Sequence, residues 1–159
     1  MAMQILGIDP GITGGVAVVS AWRPYRAPII EDGMRMPVTS HRSKKLVDAK
    51  KLFEWLSNFD IDVAVVEWVH AMPKQGVSSS FSFGRSTGSV EAIALLVSDR
   101  MEWVSPQVWK QHLGLSSSKQ ASIDEARHKF GVTYRWDKKA DNGIAEAALL
   151  AQWYLDKRV

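Results

Sequence analysis

The chain opens with an apolar run, MQILGID (residues 3–9), that stops on an aspartate. A second run, GGVAVVS (14–20), follows the turn formers PGIT, so the two are expected to pair as an antiparallel hairpin. PIIEDGMRMPV (28–38) alternates well enough to be a third strand, with an edge-like proline. Leu46, Ala49, Leu52, Phe53 and Leu56 recur at helical spacing and predict a helix beginning at 46. IDVAVVEW (61–68) is a continuous β-branched run, the pattern of a buried central strand. The polar stretch 69–84, rich in Gly, Ser and Pro, reads as a loop, and 86–100 as a buried helix. MEWVSP (101–106) predicts a short strand, over 101–104, that Pro106 ends, and PQVWKQHLG (106–114) a short helix with that proline in its first turn. A helix over 117–131 closes at Gly131. The last helix, 141–158, has Asp141 as its N-cap and Lys157 and Arg158 at its C-terminal end.

A three-strand meander followed by alternating strands and helices predicts an α/β domain, a mixed sheet with helices on its faces. With 159 residues and no linker or internal repeat, one domain over 1–159 is expected. No apolar run approaches the roughly 18 residues of a membrane span, so no membrane partner is expected. The N-terminal segment has no signal-like pattern.

Composition adds little until charge is located. The chain is 46% hydrophobic and 23% charged, with a net charge of +3, a slight lean toward nucleic acid. The basic residues cluster: Arg42, Lys44, Lys45, Lys50 and Lys51 in one run, Lys138 and Lys139 in another. Solvated surface lysines explain such runs equally well. There is no cysteine, which excludes disulfides and thiolate metal sites and fits a reducing compartment.

Three carboxylates stand in apolar surroundings. Asp9 ends the first strand, Glu67 ends the central strand, and Glu146 lies in GIAEAALLA. Ligand sites in open α/β sheets gather at the carboxyl ends of strands. A carboxylate among alanine and leucine needs a partner or becomes costly to ionise. Singly, Asp9 suits a turn cap, Glu67 a lysine pair, and Glu146 a narrow exposed stripe. Together they suit one site for hard cations such as Mg²⁺, which take oxygen ligands. Two such ions about 4 Å apart can hydrolyse a phosphodiester.

GIDPGITGGVAVV, VAVVEWV and DNGIAEAALLA, in that order and spacing, resemble the RuvC-type Holliday junction resolvases of the RNase H-like (retroviral integrase) superfamily. HAMPKQGVSSSFSFG, SPQVWKQHLGL and the AEA helix look closest to its phage and organelle branch. The resemblance covers nearly the whole chain. It implies a five-stranded mixed sheet with the first three strands antiparallel. It also implies a homodimer that binds four-way DNA junctions and nicks two strands symmetrically, with Mg²⁺ or Mn²⁺, two ions per site. The cytoplasm of a bacterial or phage-infected cell, or an organelle, is then the expected location. By position, Asp9, Glu67 and Glu146 match the family's acidic ligands, Glu146 standing where bacterial members usually have aspartate.

The fourth ligand departs from the family pattern. Bacterial relatives carry an acidic residue or histidine three positions before the last acid, where this chain has Gly143. Asp141 is about 140° around an ideal helix from Glu146, and reaches the same site only from a cap position. Asn142, four residues before Glu146, shares its face. Asp141 is favoured on charge, with Asn142 as its rival and a plain N-cap as the other reading of Asp141.

In the family, the loop after the central strand helps open the junction. Here it carries Trp68, His70, Met72, Lys74 and Gln75, then Ser78, Ser79 and Ser80. Aromatic rings stack on unpaired bases, while Lys and Ser hold phosphates. His70 sits closest to the family's aromatic position, and core packing is the favoured reading of Trp68. Arg85, Lys110 and Lys119 are further candidate phosphate contacts, and the apolar helix around 82–98 is a candidate dimer surface.

Three rival functions share parts of this pattern. An ATP-binding protein of the actin and hexokinase class has a similar Asp-x-Gly loop but needs two such domains. A junction-binding protein without cleavage would lack one of the acids. An RNase H-like nuclease for forks, flaps or RNA–DNA hybrids would keep all of them.

Overall fold

In a computed structural model, residues 1–22, 26–131, 136 and 139–158 are described. Five strands form the main sheet: β1 (Met3–Asp9), β2 (Gly15–Ala21), β3 (Ile29–Arg35), β6 (Ile61–Glu67) and β7 (Ser98–Val104). Their order is β3-β2-β1-β6-β7. β1 pairs antiparallel with β2, and β2 with β3. β6 lies parallel to both β1 and β7. This is the expected mixed sheet with an antiparallel first half.

The period of two along a strand sorts the core. Ile5, Val63 and Val65 pack on one face with the last helix, α5 (Asn142–Asp156), and with α4 (Lys119–Phe130). Leu6, Ile8, Ala64 and Val66 pack on the other face, against α1 (Ala49–Leu56) and α2 (Val77–Val97). α5 is buried on every side from Gly143 to Leu155. Its backbone lies directly on the sheet: a Cβ at Gly7 would come within 1.7 Å of the Ala147 carbonyl oxygen. Only glycine permits that approach.

Three expectations about elements are corrected. First, residues 38–47 form a small separate hairpin, β4 (Val38–His41) with β5 (Lys44–Val47), so the third strand ends at Arg35 and Leu46 lies in a strand. Its turn residues Arg42 and Ser43 have φ of 46° and 61°. Turns of that hand are usually signalled by Gly or Asn, and neither is present. The helix therefore starts at Ala49, where the Asp48 carboxylate caps it by accepting from the Lys51 N–H at 3.0 Å. Second, α2 begins at Val77, inside the stretch expected to be loop. Ser78, Ser79, Ser80 and Ser82 are weak helix formers, which is why the pattern hides these turns. Farther along, the Ser86 hydroxyl accepts from the Val47 N–H at 3.1 Å, tying α2 to the hairpin. Third, α2 stops at Val97, so 98–100 extend β7. The short helix α3 (Pro106–His112) has Ser105 as its cap. No helix among the described residues is long and apolar enough to cross a membrane.

Candidate metal centre

The strand parity that sorts the core also aims the carboxylates. Asp9 follows Ile5 and Gly7 on β1, and Glu67 follows Val63 and Val65 on β6, so both face α5. Glu146, in the second turn of α5, meets them there. One carboxylate oxygen from each of the three lies within 4.8 Å of the others. Glu67 and Glu146 are 9% and 7% exposed, and Asp9 is half-buried.

Each acid is held. Trp109 Nε1 donates to Glu67 Oε2 at 2.7 Å. Lys110 Nζ and the Ser122 hydroxyl donate to Glu146 Oε1 at 2.9 and 3.1 Å. Asp9 is fixed by its turn: a Cβ at Gly14 would lie 2.1 Å from the Asp9 carbonyl oxygen. Burial, then the charges of Glu67 and Glu146, push the Asp9 carboxyl up to about 8, against the pull of the Gly11 N–H and Lys110. Burial also raises Glu67, opposed by the Trp109 hydrogen bond and Lys110 and reinforced by Glu146. Three crowded carboxylates with one lysine are short of positive charge. That donor set fits a hard divalent cation.

The pKa of Asp9 has a consequence for stability. It is about 8 in the fold against an ordinary 3.8, so the folded chain keeps a proton that the unfolded chain releases. Stability from this group is full below about pH 4 and falls as pH rises toward about pH 8. The melting temperature of the metal-free protein should therefore drop across that window. Asp9→Asn should flatten the drop, and Mg²⁺ or Mn²⁺ should reverse it at the alkaline end. A flat wild-type profile would contradict the charge crowding.

Other expected residues fall into three groups. Asp141 occupies the cap position of α5, at the end of a 3₁₀ turn (Lys139–Asp141), but makes no side-chain cap bond. It accepts instead from Arg35 Nε at 2.8 Å and stands outside the three-acid group. Asn142 Oδ1 is buried without a hydrogen-bond partner among the described residues. It borders a cavity of about 460 Å³ with Arg35, Lys119 and Lys139. Gly143 is fixed by contact, because a Cβ there would lie 2.3 Å from the Gly14 carbonyl carbon. A side chain at position 143 does not fit this backbone.

His70 and Lys74 are exposed on the loop after β6, and Lys74 has φ of 66°. Gln75 Oε1 accepts from the Met72 N–H at 3.0 Å. Trp68 is 52% exposed, which corrects the core-packing expectation. It directly follows the last residue of β6, and its N–H still donates to the Val104 carbonyl of β7 at 2.7 Å, but its side chain stands beyond the buried part of the sheet. Ser79 and Arg85 lie exposed on α2, the Arg85 guanidinium 5.9 Å from the Phe81 ring. Lys110 reaches the acids directly, and Lys119 is exposed at the start of α4. Lys138 lies outside the described residues.

Trp109, Ser122 and Arg35 were missed in the sequence. Trp109 is fully buried, and its N–H needs an acceptor, which Glu67 supplies. The only sequence cue is its place beside Lys110 in a helix too short to show a face.

No protein-family model matches the chain. It is 33% identical over 97 residues to the crossover junction endodeoxyribonuclease RuvC of Pseudarthrobacter chlorophenolicus, covering 59% of this chain and 50% of that protein. It is 31% identical over 97 residues to the protein of the same name from Paenarthrobacter aurescens, with the same coverage. The chain thus spans about half the length of the curated relatives it matches. Thermus thermophilus RuvC, in a structure with Holliday junction substrate, superimposes with a TM-score of 0.68 at 18% identity, covering 98% of this chain and 96% of that one. A second T. thermophilus RuvC structure gives 0.68 at 22% identity, with 98% and 97% covered. The yeast mitochondrial Holliday junction resolvase gives 0.53 at 16% identity, with 96% and 78% covered. The sheet and its flanking helices are therefore the RNase H-like fold of RuvC. Over 97 residues the chain is similar in sequence to the RuvC crossover junction endodeoxyribonucleases of two bacteria, and over nearly its whole length it shares the fold of T. thermophilus RuvC.

Proposed function

We propose that the chain is a single-domain, metal-dependent endodeoxyribonuclease that resolves four-way DNA junctions by paired symmetric nicks. The observation that carries this reading is the convergence of Asp9, Glu67 and Glu146 on a fold shared with a resolvase. These three would hold the cations, with Asp141 as a fourth candidate once released from Arg35 and Asn142 as its rival. Mg²⁺ or Mn²⁺, two ions per site, would supply an activated water and charge stabilisation for the leaving oxygen of the phosphodiester. The chain's own groups do the rest. Trp109 orients Glu67, and Ser122 orients Glu146. Lys110 holds an ammonium beside the acids, ready to pass from Glu146 to a phosphate oxygen. The turn at Gly11, where a Cβ would meet nothing nearer than 3.9 Å, leaves room for a DNA backbone to approach. His70, Lys74, Gln75, Ser79, Arg85 and Lys119 provide stacking and phosphate contacts around it. The site of action on this reading is the cytoplasm of a bacterial or phage-infected cell, or an organelle.

A homodimer supplies two such sites to a two-fold junction. α2 offers a surface for it: Val77, Phe81 and Leu95 are exposed at helical spacing, with Gly84 and Gly88 between them. A Cβ at either glycine would meet nothing within 4 Å, so the fold of one chain does not require them. A partner helix does have a use for such a shallow stripe.

A synthetic immobile junction tests the reading. Incubation with Mg²⁺ or Mn²⁺ should yield nicked duplexes, and a chelator should stop the reaction while leaving the complex intact. A junction left whole in every divalent cation would refute it.

A further inference from the structure

A cavity of about 280 Å³ lies between β5 and α2, beside the turn that follows Asp9. Phe83 and Ile12 provide apolar walls, Lys44 and Lys45 stand on the hairpin side, and Gln75 and Ser79 close the end toward the loop after β6. Its frame is firm. Leu46 and Val47 are buried, and the Val47 N–H is bonded to Ser86 on α2. Two features are unexplained by the fold. Ile12 is 39% exposed in a turn three residues beyond Asp9. Neither Lys44 nor Lys45 has an ion-pair partner among the described residues.

A phosphate alone has no use for the apolar walls, and an apolar ligand has no use for the lysines. A nucleotide uses both: its base takes the apolar surface, an amide and a hydroxyl can bond its edge, and its phosphate pairs with ammonium groups. A base stacked and paired in duplex cannot enter a cavity of this kind, whereas one freed at a branch point can. We propose that this cavity, formed where the hairpin meets α2 and the turn carrying Ile12, holds a single unpaired nucleotide of the branched DNA. Phe83 and Ile12 contact its base, and Lys44 and Lys45 its phosphate. The pocket rests on the junction-nuclease reading and adds to it a place where nucleotide preference is set.

The test compares intact junctions with junctions carrying abasic sites at the crossover, for wild type and Phe83→Ala. Wild type should bind the abasic junction about tenfold more weakly than the intact one. Phe83→Ala should bind both equally, at the weaker level, because the base has lost its wall. Ile12→Ser, at an exposed turn position, should reduce the same ratio, which keeps the comparison available if Phe83→Ala does not fold. Lys44→Ala with Lys45→Ala should weaken binding to both junctions and lower the salt dependence by nearly two charges. Equal discrimination by wild type, Phe83→Ala and Ile12→Ser would overturn the pocket while leaving the nuclease reading intact. Failure of wild type to prefer a junction over plain duplex would instead overturn the nuclease reading itself.

Discussion

Asp9→Asn and Glu67→Gln should each reduce junction cleavage by about 10³-fold or more while junction binding survives. The magnitude follows from the number of ligands: removing one of three carboxylates removes a large part of the charge that holds cations where the reaction needs them. Binding survives because affinity for DNA comes mainly from basic groups neutralising phosphates, and neither substitution touches those. Each change removes a negative charge from a crowded site, so the metal-free variants should melt at or above the wild-type temperature near pH 8. A loss of activity through unfolding would show the opposite. Gel-shift and single-turnover cleavage on the same preparations separate these outcomes. Full cleavage by either variant would remove that residue from the metal centre.

Gly143→Asp, which places a carboxylate three positions before Glu146, should damage this protein. A Cβ at 143 would lie 2.3, 2.5 and 2.7 Å from the carbonyl carbon, carbonyl oxygen and Cα of Gly14. All three are backbone atoms of the turn that positions Asp9, so no side chain can rotate away to make room. The clash costs at least about 3 kcal/mol and lowers the melting temperature by about 10 °C. Gly143→Ala should show most of that loss, since the Cβ alone makes the clash. A Gly143→Asp protein with unchanged stability and faster cleavage would mean that α5 stands farther from the turn than described.

The reason for Gly143 was not legible in the sequence, because it depends on the distance between two backbones. The triad itself was legible. Asp9, Glu67 and Glu146 each interrupt an apolar run, and the shared parity of positions 5, 7 and 9 with 63, 65 and 67 already puts the first two on one face of the sheet. The main strands were legible for the same reason, since buried strands are apolar throughout. The hairpin at 38–47 was not, because its turn uses Arg42 and Ser43 in a backbone conformation that the sequence does not advertise. The first turns of α2 were hidden by Ser78, Ser79, Ser80 and Ser82, which are weak helix formers. Charge alone does not separate Asp141 from Asn142 as the fourth ligand: in the fold Asp141 is bonded to Arg35, outside the triad.

The account stands most directly on substrate choice. Wild-type protein with Mg²⁺ should be given, side by side, a four-way junction, a Y-fork, a plain duplex and an RNA–DNA hybrid, with both strands of each branched substrate mapped at nucleotide resolution. The prediction is two nicks at symmetry-related positions in the junction and an intact duplex and hybrid. Equal cutting of plain duplex, or preferential cutting of the hybrid, would contradict it.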